Sequence, residues 1–113
     1  MVRVFAQDDA EILSRLIIRN LRHVNIRDYS TEVIEALVPS YMPNNLIQKS
    51  MMHRMIVCLH GNDLTGTASL DGDRVRNVFV DMDMHRKGIG RLLIKHIEAY
   101  ARMNDLRRIY LHS

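Results

Sequence analysis

The sequence predicts an α/β fold, a mixed and mainly antiparallel sheet with flanking helices, and three observations carry that prediction. Three apolar runs of strand length, RMIVCLH, LTGTASL and RVRNVFVDM, follow one another with only GND and DGD between them. From Ile89 onward the apolar repeat lengthens from two residues to about 3.6, the period of a helix. A last apolar run, RRIYLHS, follows that helical stretch, so strand, helix and strand succeed one another as a βαβ unit with parallel flanking strands.

The elements can be justified in order. VRVFAQ at the N-terminus is a short strand. Asp8 and Glu11 then form a D-x-x-E capping pattern ahead of ILSRLIIRNLRHV, where Ile12, Leu13, Leu16, Ile17, Leu21 and Val24 recur at helical spacing. A second helix starts in YSTEVIEALVPSYMP with Ser30 or Thr31 as its cap, and Pro39 ends it after about two turns. NNLIQKSMM adds about another turn or two, with Met51 and Met52 read as core fillers in preference to the lining of an acceptor cleft. Gly61, Asn62 and Asp63, and then Asp71, Gly72 and Asp73, tolerate the φ > 0 positions of tight hairpins, which makes the three apolar runs a meander. On a helical wheel Ile89, Leu92, Leu93, His96, Ile97, Tyr100 and Met103 fall on one side of the last helix, and Arg91, Lys95, Glu98 and Arg102 on the other. His96 is therefore expected to pack with its polar edge satisfied.

Composition sets the limits. A chain of 113 residues reads as one domain, 1–113, able to bury roughly 65% of the surface its unfolded form exposes, and one core is expected. Apolar residues at 47% and charged residues at 26% are those of a globular protein. No apolar run approaches the ~18 residues of a membrane span. MVRVFAQDDAEIL meets two aspartates where a signal peptide would be apolar, so the expectation is a cytoplasmic protein with no membrane partner. Cys58, the one cysteine, reads as a buried strand residue. A net charge of +3 is a weak bias toward anions. Arg15, Arg19 and Arg22 lie on the polar side of the first helix, the usual solvated face, and no nucleic-acid partner is expected. The six histidines have no zinc-ligand spacing, and no metal is expected.

The chemistry concentrates in HRKGIGRLL, His85 to Leu93. Its two glycines lie at a strand-to-helix junction, where the first amide N–H groups of the helix have no partners within it. Bare backbone at Gly88 and Gly90 lets a phosphate approach those amides, the helix dipole favours the anion by about 0.3–1 kcal/mol, and Arg86, Lys87 and Arg91 charge the rim. That reading is preferred to a plain tight turn with solvated cations. A nucleoside-triphosphate loop would need Lys then Ser or Thr where Arg91-Leu92 stands, and a dinucleotide fingerprint would need a third glycine at Leu93.

The segment VDMDMHRKGIGRLLIKHIEAYA resembles the acetyl-CoA-binding signature of the GCN5-related N-acetyltransferases, the GNAT superfamily, whose pattern is Gln/Arg-x-x-Gly-x-Gly/Ala between the fourth strand and the next helix. VRVFAQDDAEILSRLI, YSTEVIEALVP, GNDLTGTASL and VRNVFVDMD also stand in the family's order, so the resemblance spans almost all of the chain. It implies a GNAT-like sheet with a βαβ acetyl-CoA-binding unit. It further implies that Val78, Phe79 and Val80 of a bulged fourth strand pair with the pantetheine arm, and that His85, Arg86, Lys87, Gly88, Ile89, Gly90 and Arg91 hold the pyrophosphate. His85 replaces the usual Gln or Arg at a position where the family's contact is largely through backbone.

The activity implied is acetyl transfer from acetyl-CoA to a primary amine, on a small molecule or a peptide. A backbone N–H near Val80 would be the donor to the developing oxyanion. Asp81 and Asp83 are near enough in sequence to be bases and equally suited to be turn residues, so no catalytic residue is assigned. Family members normally continue well past YLHS with a tyrosine-bearing segment, and this chain ends at Ser113. The expectation is therefore a fragment, a fold completed by a second copy through an open RRIYLHS edge as a homodimer, or a degenerate CoA-binding module without turnover.

Overall fold

RMIVCLH is apolar at consecutive positions, not alternate ones, because its strand is covered on both faces. In the computed structural model, which describes residues 1–84, 87–104 and 110–111, that strand is β2 (Arg54–His60), and it lies inside the sheet. The other strands are β1 (Val2–Val4), β3 (Asp63–Asp71), β4 (Arg74–Val80) and β5 (Tyr110–Leu111). The helices are α1 (Ala10–His23), α2 (Thr31–Leu37), α3 (Pro43–Met52) and α4 (Ile89–Met103). Strand order is β1-β2-β3-β4-β5, antiparallel through β4 and parallel between β4 and β5. This is the mixed, mainly antiparallel sheet that the sequence predicts. Two-residue turns at Gly61-Asn62 and Gly72-Asp73 close the hairpins, with φ +64° at Gly61 and +62° at Gly72.

The expected one core is two. Met55 and Val57 of β2 pack with Leu13, Ile17, Ile34 and Leu46 from α1, α2 and α3. Ile56 and Cys58, between and beside them, pack on the opposite face with Leu93, Ile97 and Ala101 of α4. The period-2 alternation of a strand therefore sends apolar side chains both ways. Burial of Cys58 agrees with the sequence reading.

Local differences have local causes. Asp9, not Asp8, organises the entry to α1: its Oδ2 accepts from the Ala6 N–H at 2.8 Å, and the Arg3 guanidinium donates to both its oxygens at 2.8 Å. Arg3 thus ties β1 to the helix, an interaction between sequence neighbours that no capping pattern encodes. Ser30 is the cap of α2, accepting from the Val33 N–H at 3.3 Å. α3 is longer than expected, because Pro43 supplies a first helical residue that needs no N–H acceptor. Met51 and Met52 are exposed, so neither fills the core. In α4 the buried seam is Ile89, Leu93, Ile97 and Ala101, a strict i,i+4 row. His96 lies exposed, and so do Leu92 and Met103 and, in α1, Ile12. The apolar stripe drawn on the wheel is wider than the strip the sheet covers.

Candidate functional site

β4 is interrupted where it matters most. Ser69 of β3 faces Arg76 and Thr67 faces Phe79, so Asn77 and Val78 together oppose Ala68, which is a β-bulge. Asn77 has φ +56°, the left-handed region that Asn accepts more readily than most residues. Its Oδ1 accepts a 2.8 Å hydrogen bond from the Tyr41 hydroxyl, and the Tyr41 ring meets Phe79 edge-on at 5.6 Å between centroids. The described pairing with β5 covers Arg74 and Val75, ahead of the bulge.

Past the bulge, a cleft of about 280 Å³ is lined by Val78, Phe79 and Val80 of β4 and by Gly88, Ile89 and Gly90 at the start of α4, with Asn20, Val24, Asn25 and Met84 completing the lining. Gly88 is the residue before α4 and has φ +76°, a conformation available to glycine at little cost. The first intrahelical bond of α4 runs from the Leu92 N–H to the Gly88 carbonyl at 3.0 Å, so the amides of Ile89, Gly90 and Arg91 have no acceptor within the helix. Among the described residues a Cβ at Gly90 would meet only Val80 Cγ2, at 3.8 Å, so none of them needs that side chain to be missing. Lys87 and Arg91, which flank the Gly88 to Gly90 segment in sequence, are exposed.

A second cavity of about 610 Å³ shares Asn25, Val78 and Phe79 with the first. Asn25, Ser40, Tyr41, Lys49, His53, Arg76 and Asn77 supply its polar lining. Burial pushes the Tyr41 phenol up, so it stays protonated, and pushes the Lys49 ammonium down. Lys49 Nζ sits 4.2 Å from the centre of the Tyr41 ring. Asp71 lies behind the wall, 3.4 Å from His53 Nδ1 and 3.5 Å from Arg76 Nε.

The two aspartates weighed as bases do not enter either cavity. Asp81 Oδ1 accepts from the Asp83 N–H at 2.8 Å, and Arg19 lies 3.8 Å from Asp81 and 3.4 Å from Asp83. They are turn residues paired with α1. Among the described residues no group of His, Cys, Asp and Glu could hold a metal ion, and no helix is long and apolar enough to cross a membrane.

A family model described as an acetyltransferase (GNAT) domain matches residues 25–113, from before α2 to the end of the chain. The chain belongs to the GNAT family. Solved GNAT structures share its fold. A GCN5-related N-acetyltransferase from Rhodopseudomonas palustris superposes with a TM-score of 0.84 at 21% identity, over 92% of this chain and 66% of that protein. The PaiA N-acetyltransferase of Thermoplasma acidophilum, solved in complex with coenzyme A, gives 0.81 at 18% identity, over 94% of this chain and 74% of its own. A GCN5-related N-acetyltransferase from Ralstonia eutropha JMP134 gives 0.75 at 16% identity, over 100% and 82%. The chain thus spans only about two thirds of the first of these. Compared by sequence with curated proteins, it matches none.

In this GNAT chain the structure brings together Val78, Phe79, Val80, Gly88, Ile89 and Gly90 around one cleft, and Lys87 and Arg91, exposed and next to the glycines in sequence, are not among its lining residues. His85 and Arg86 lie outside the described residues. Ile89 is largely buried and packs with the α4 cluster, so its side chain serves the fold and only its backbone is offered to the cleft. Sequence reasoning missed the opposite wall and the whole second cavity. Asn20 carried a signal: it stands between Ile17 and Leu21 on the apolar stripe of α1, is buried, and donates from Nδ2 to the Leu16 carbonyl at 2.9 Å. Lys49, His53 and Arg76 carried none, because their proximity depends on how α3 crosses the sheet.

Proposed function

We propose that residues 1–113 act as one acetyl-CoA-binding domain that transfers the acetyl group to a primary amine. The observation that carries the reading is the cleft between the bulged end of β4 and the glycine-bearing first turn of α4. The amides of Ile89, Gly90 and Arg91 are suited to pyrophosphate oxygens, with Lys87 and Arg91 neutralising charge at the rim, and His85 and Arg86 complete the loop in sequence. The strand segment Val78 to Val80 is suited to the extended pantetheine arm, which would add to it as a peptide strand does. Acetyl-CoA would supply an activated thioester to an amine held in the second cavity, and Asn25, Val78 and Phe79 line both.

The chain's own task is then to hold the amine neutral and in line. At pH 7 a free alkyl amine of pKa near 10.4 costs about 4–5 kcal/mol to deprotonate, and a site that disfavours cations reduces that cost. The wall of the second cavity does so: burial already disfavours the charged form of Lys49 there. The protonated Tyr41 and the Asn77 side chain fix the bulge between the two cavities. Placement in the cytoplasm, where acetyl-CoA is made available to soluble enzymes, accords with the reading.

A second reading is favoured by one observation: among the described residues no carboxylate lines either cavity. A CoA-binding module without turnover, or a chain completed by a second copy, would have that property. Calorimetric titration of acetyl-CoA into the 113-residue chain, with Gly90→Glu alongside, separates the possibilities. Micromolar binding that Gly90→Glu abolishes, followed by release of free CoA thiol when amines are added, supports transfer. Binding without thiol release supports the module. A folded chain that binds no acetyl-CoA as monomer or dimer overturns both.

A further inference from the structure

The second cavity is cationic in a way that acetyl transfer alone does not require. Among the described residues its titratable lining is Tyr41, Lys49, His53 and Arg76, with no Asp or Glu. Asp71 is the acidic neighbour, and it is shared: His53 Nδ1 is 3.4 Å and Arg76 Nε 3.5 Å from its two oxygens. Neither nitrogen makes a hydrogen bond with it or with any other described group, although both are shielded from water. One carboxylate thus forms ion pairs with two basic side chains and hydrogen-bonds neither of these nitrogens. Lys49 has no carboxylate within ion-pair distance among the described residues, and its contact is the face of the Tyr41 ring at 4.2 Å. The cavity's apolar lining, Leu37, Val78 and Phe79, gives a ligand something to bury beside those charges.

We propose that the acceptor amine taken by this cavity also carries an anionic group, a carboxylate or a phosphate, which Lys49 and Arg76 bind while the amine points toward Val78 and Phe79. The proposal rests on the acetyl-transfer reading for the identity of the cavity as the acceptor site. Charge decides the class. A second ammonium group, as in a polyamine, would sit against Lys49 and Arg76 with no carboxylate in the lining to receive it, whereas an anion makes charge-assisted hydrogen bonds to both. The volume of about 610 Å³ accommodates a molecule of amino-acid size or somewhat larger. The separation of roles is also favourable, because an anion held at Lys49 and Arg76 leaves the amine at the wall shared with the first cleft.

The test uses amines that differ only in the anionic group: phenylalanine against phenethylamine, and O-phosphoethanolamine against ethanolamine. Binding to the full chain is followed by amide NMR, with acetyl-CoA titrated into the same samples. The anionic member of at least one pair should bind about tenfold tighter or more, shifting the amides of Lys49, Arg76 and Asn77. Which pair responds distinguishes carboxylate from phosphate. Lys49→Gln and Arg76→Gln should each bring the members of that pair to within about twofold while leaving acetyl-CoA affinity unchanged. Equal binding of the members, tighter binding of the plain amines, no binding of either, or shifts confined to other surfaces overturns the proposal. Loss of acetyl-CoA binding alone, with the anionic preference intact, overturns the transfer reading and leaves an anion-binding cavity.

Discussion

Gly90→Ala should make the protein more stable and leave acetyl-CoA binding nearly unchanged, whereas Gly90→Glu should weaken that binding strongly. Gly90 is the second residue of α4, its φ is not in the positive region, and among the described residues an added Cβ would touch only Val80 Cγ2 at an ordinary 3.8 Å. The methyl therefore brings no clash. It limits the unfolded chain and improves helix propensity, which together favour the folded state by about 0.5 kcal/mol at this near-terminal position. In a chain of this size that raises the melting temperature by about 2–4 °C. The GNAT pattern admits Ala at this position, so the methyl leaves the cradle usable. A Glu side chain instead brings a carboxylate to the cleft lined by Val78 to Val80, where a phosphate would approach the amides of Ile89, Gly90 and Arg91. Losing one charge-assisted hydrogen bond of about 1.5–3 kcal/mol there weakens binding about 10- to 150-fold. Thermal unfolding without ligand gives the first number and calorimetric titration of acetyl-CoA the second. Unchanged affinity in Gly90→Glu would refute the phosphate cradle. A lower melting temperature in Gly90→Ala would refute the claim that the fold leaves room for a side chain there.

Two further substitutions test how the site is supported. At Gly66 an added Cβ would lie 3.0 Å from Ile89 Cγ2, 3.1 Å from Leu93 Cδ1 and 3.1 Å from the Phe79 carbonyl. Because the last is backbone, Gly66→Ala should cost about 1–3 kcal/mol in urea unfolding, and an undiminished midpoint would mean that α4 can lift freely from the sheet. Asp9→Asn removes the charge that holds Arg3 and should cost roughly 1–2 kcal/mol at pH 7. The Arg3 hydrogen bonds hold the Asp9 carboxyl below its usual range, so its contribution is complete above about pH 4 and is lost as pH falls through the lower folded value. The stability gap between Asp9→Asn and the natural chain should close over that acid window, and a gap that persists below it would show that the carboxylate's charge is not what matters.

The sheet, its meander and α4 were legible because each rests on a local signal: turn residues at Gly61 and Gly72, and the change of period after Gly90. The cleft was legible only along one strip of chain, HRKGIGR, whose glycines and cations are neighbours in sequence. Its other wall depends on α1 lying across the end of β4, and the only trace of that is the buried Asn20 among leucines and isoleucines. The second cavity joins α2, α3 and β4 residues that are 28 to 40 positions apart, as Lys49 is from Asn77 and Leu37 from Asn77. No pattern of one chain segment reports such a meeting. Asp81 and Asp83 show the converse failure: adjacency in sequence to the site made them candidates, and Arg19 of a distant helix decides their role.

The bulge explains how one strand serves two cavities. In a regular strand Val75 and Phe79, four residues apart, would face the same side, and Val80 the other. Here Val75 packs with the α4 cluster, yet Phe79 packs with the α1 and α3 cluster and Val80 returns to that of α4. The extra residue at Asn77-Val78 shifts the alternation by one. Phe79 is thereby set against Tyr41 at 5.6 Å, next to the second cavity, while Val80 reaches the α4 side at the place a Gly90 side chain would occupy. The left-handed backbone at Asn77 costs on the order of 1 kcal/mol, and the 2.8 Å hydrogen bond from Tyr41 is of the size that offsets it. Tyr41 comes from the turn just before α3, the helix that also carries Lys49. The residue that stabilises the bulge and the residue that charges the second cavity therefore move together, so the junction between the two cavities and the charge of the second are set by the docking of one helix.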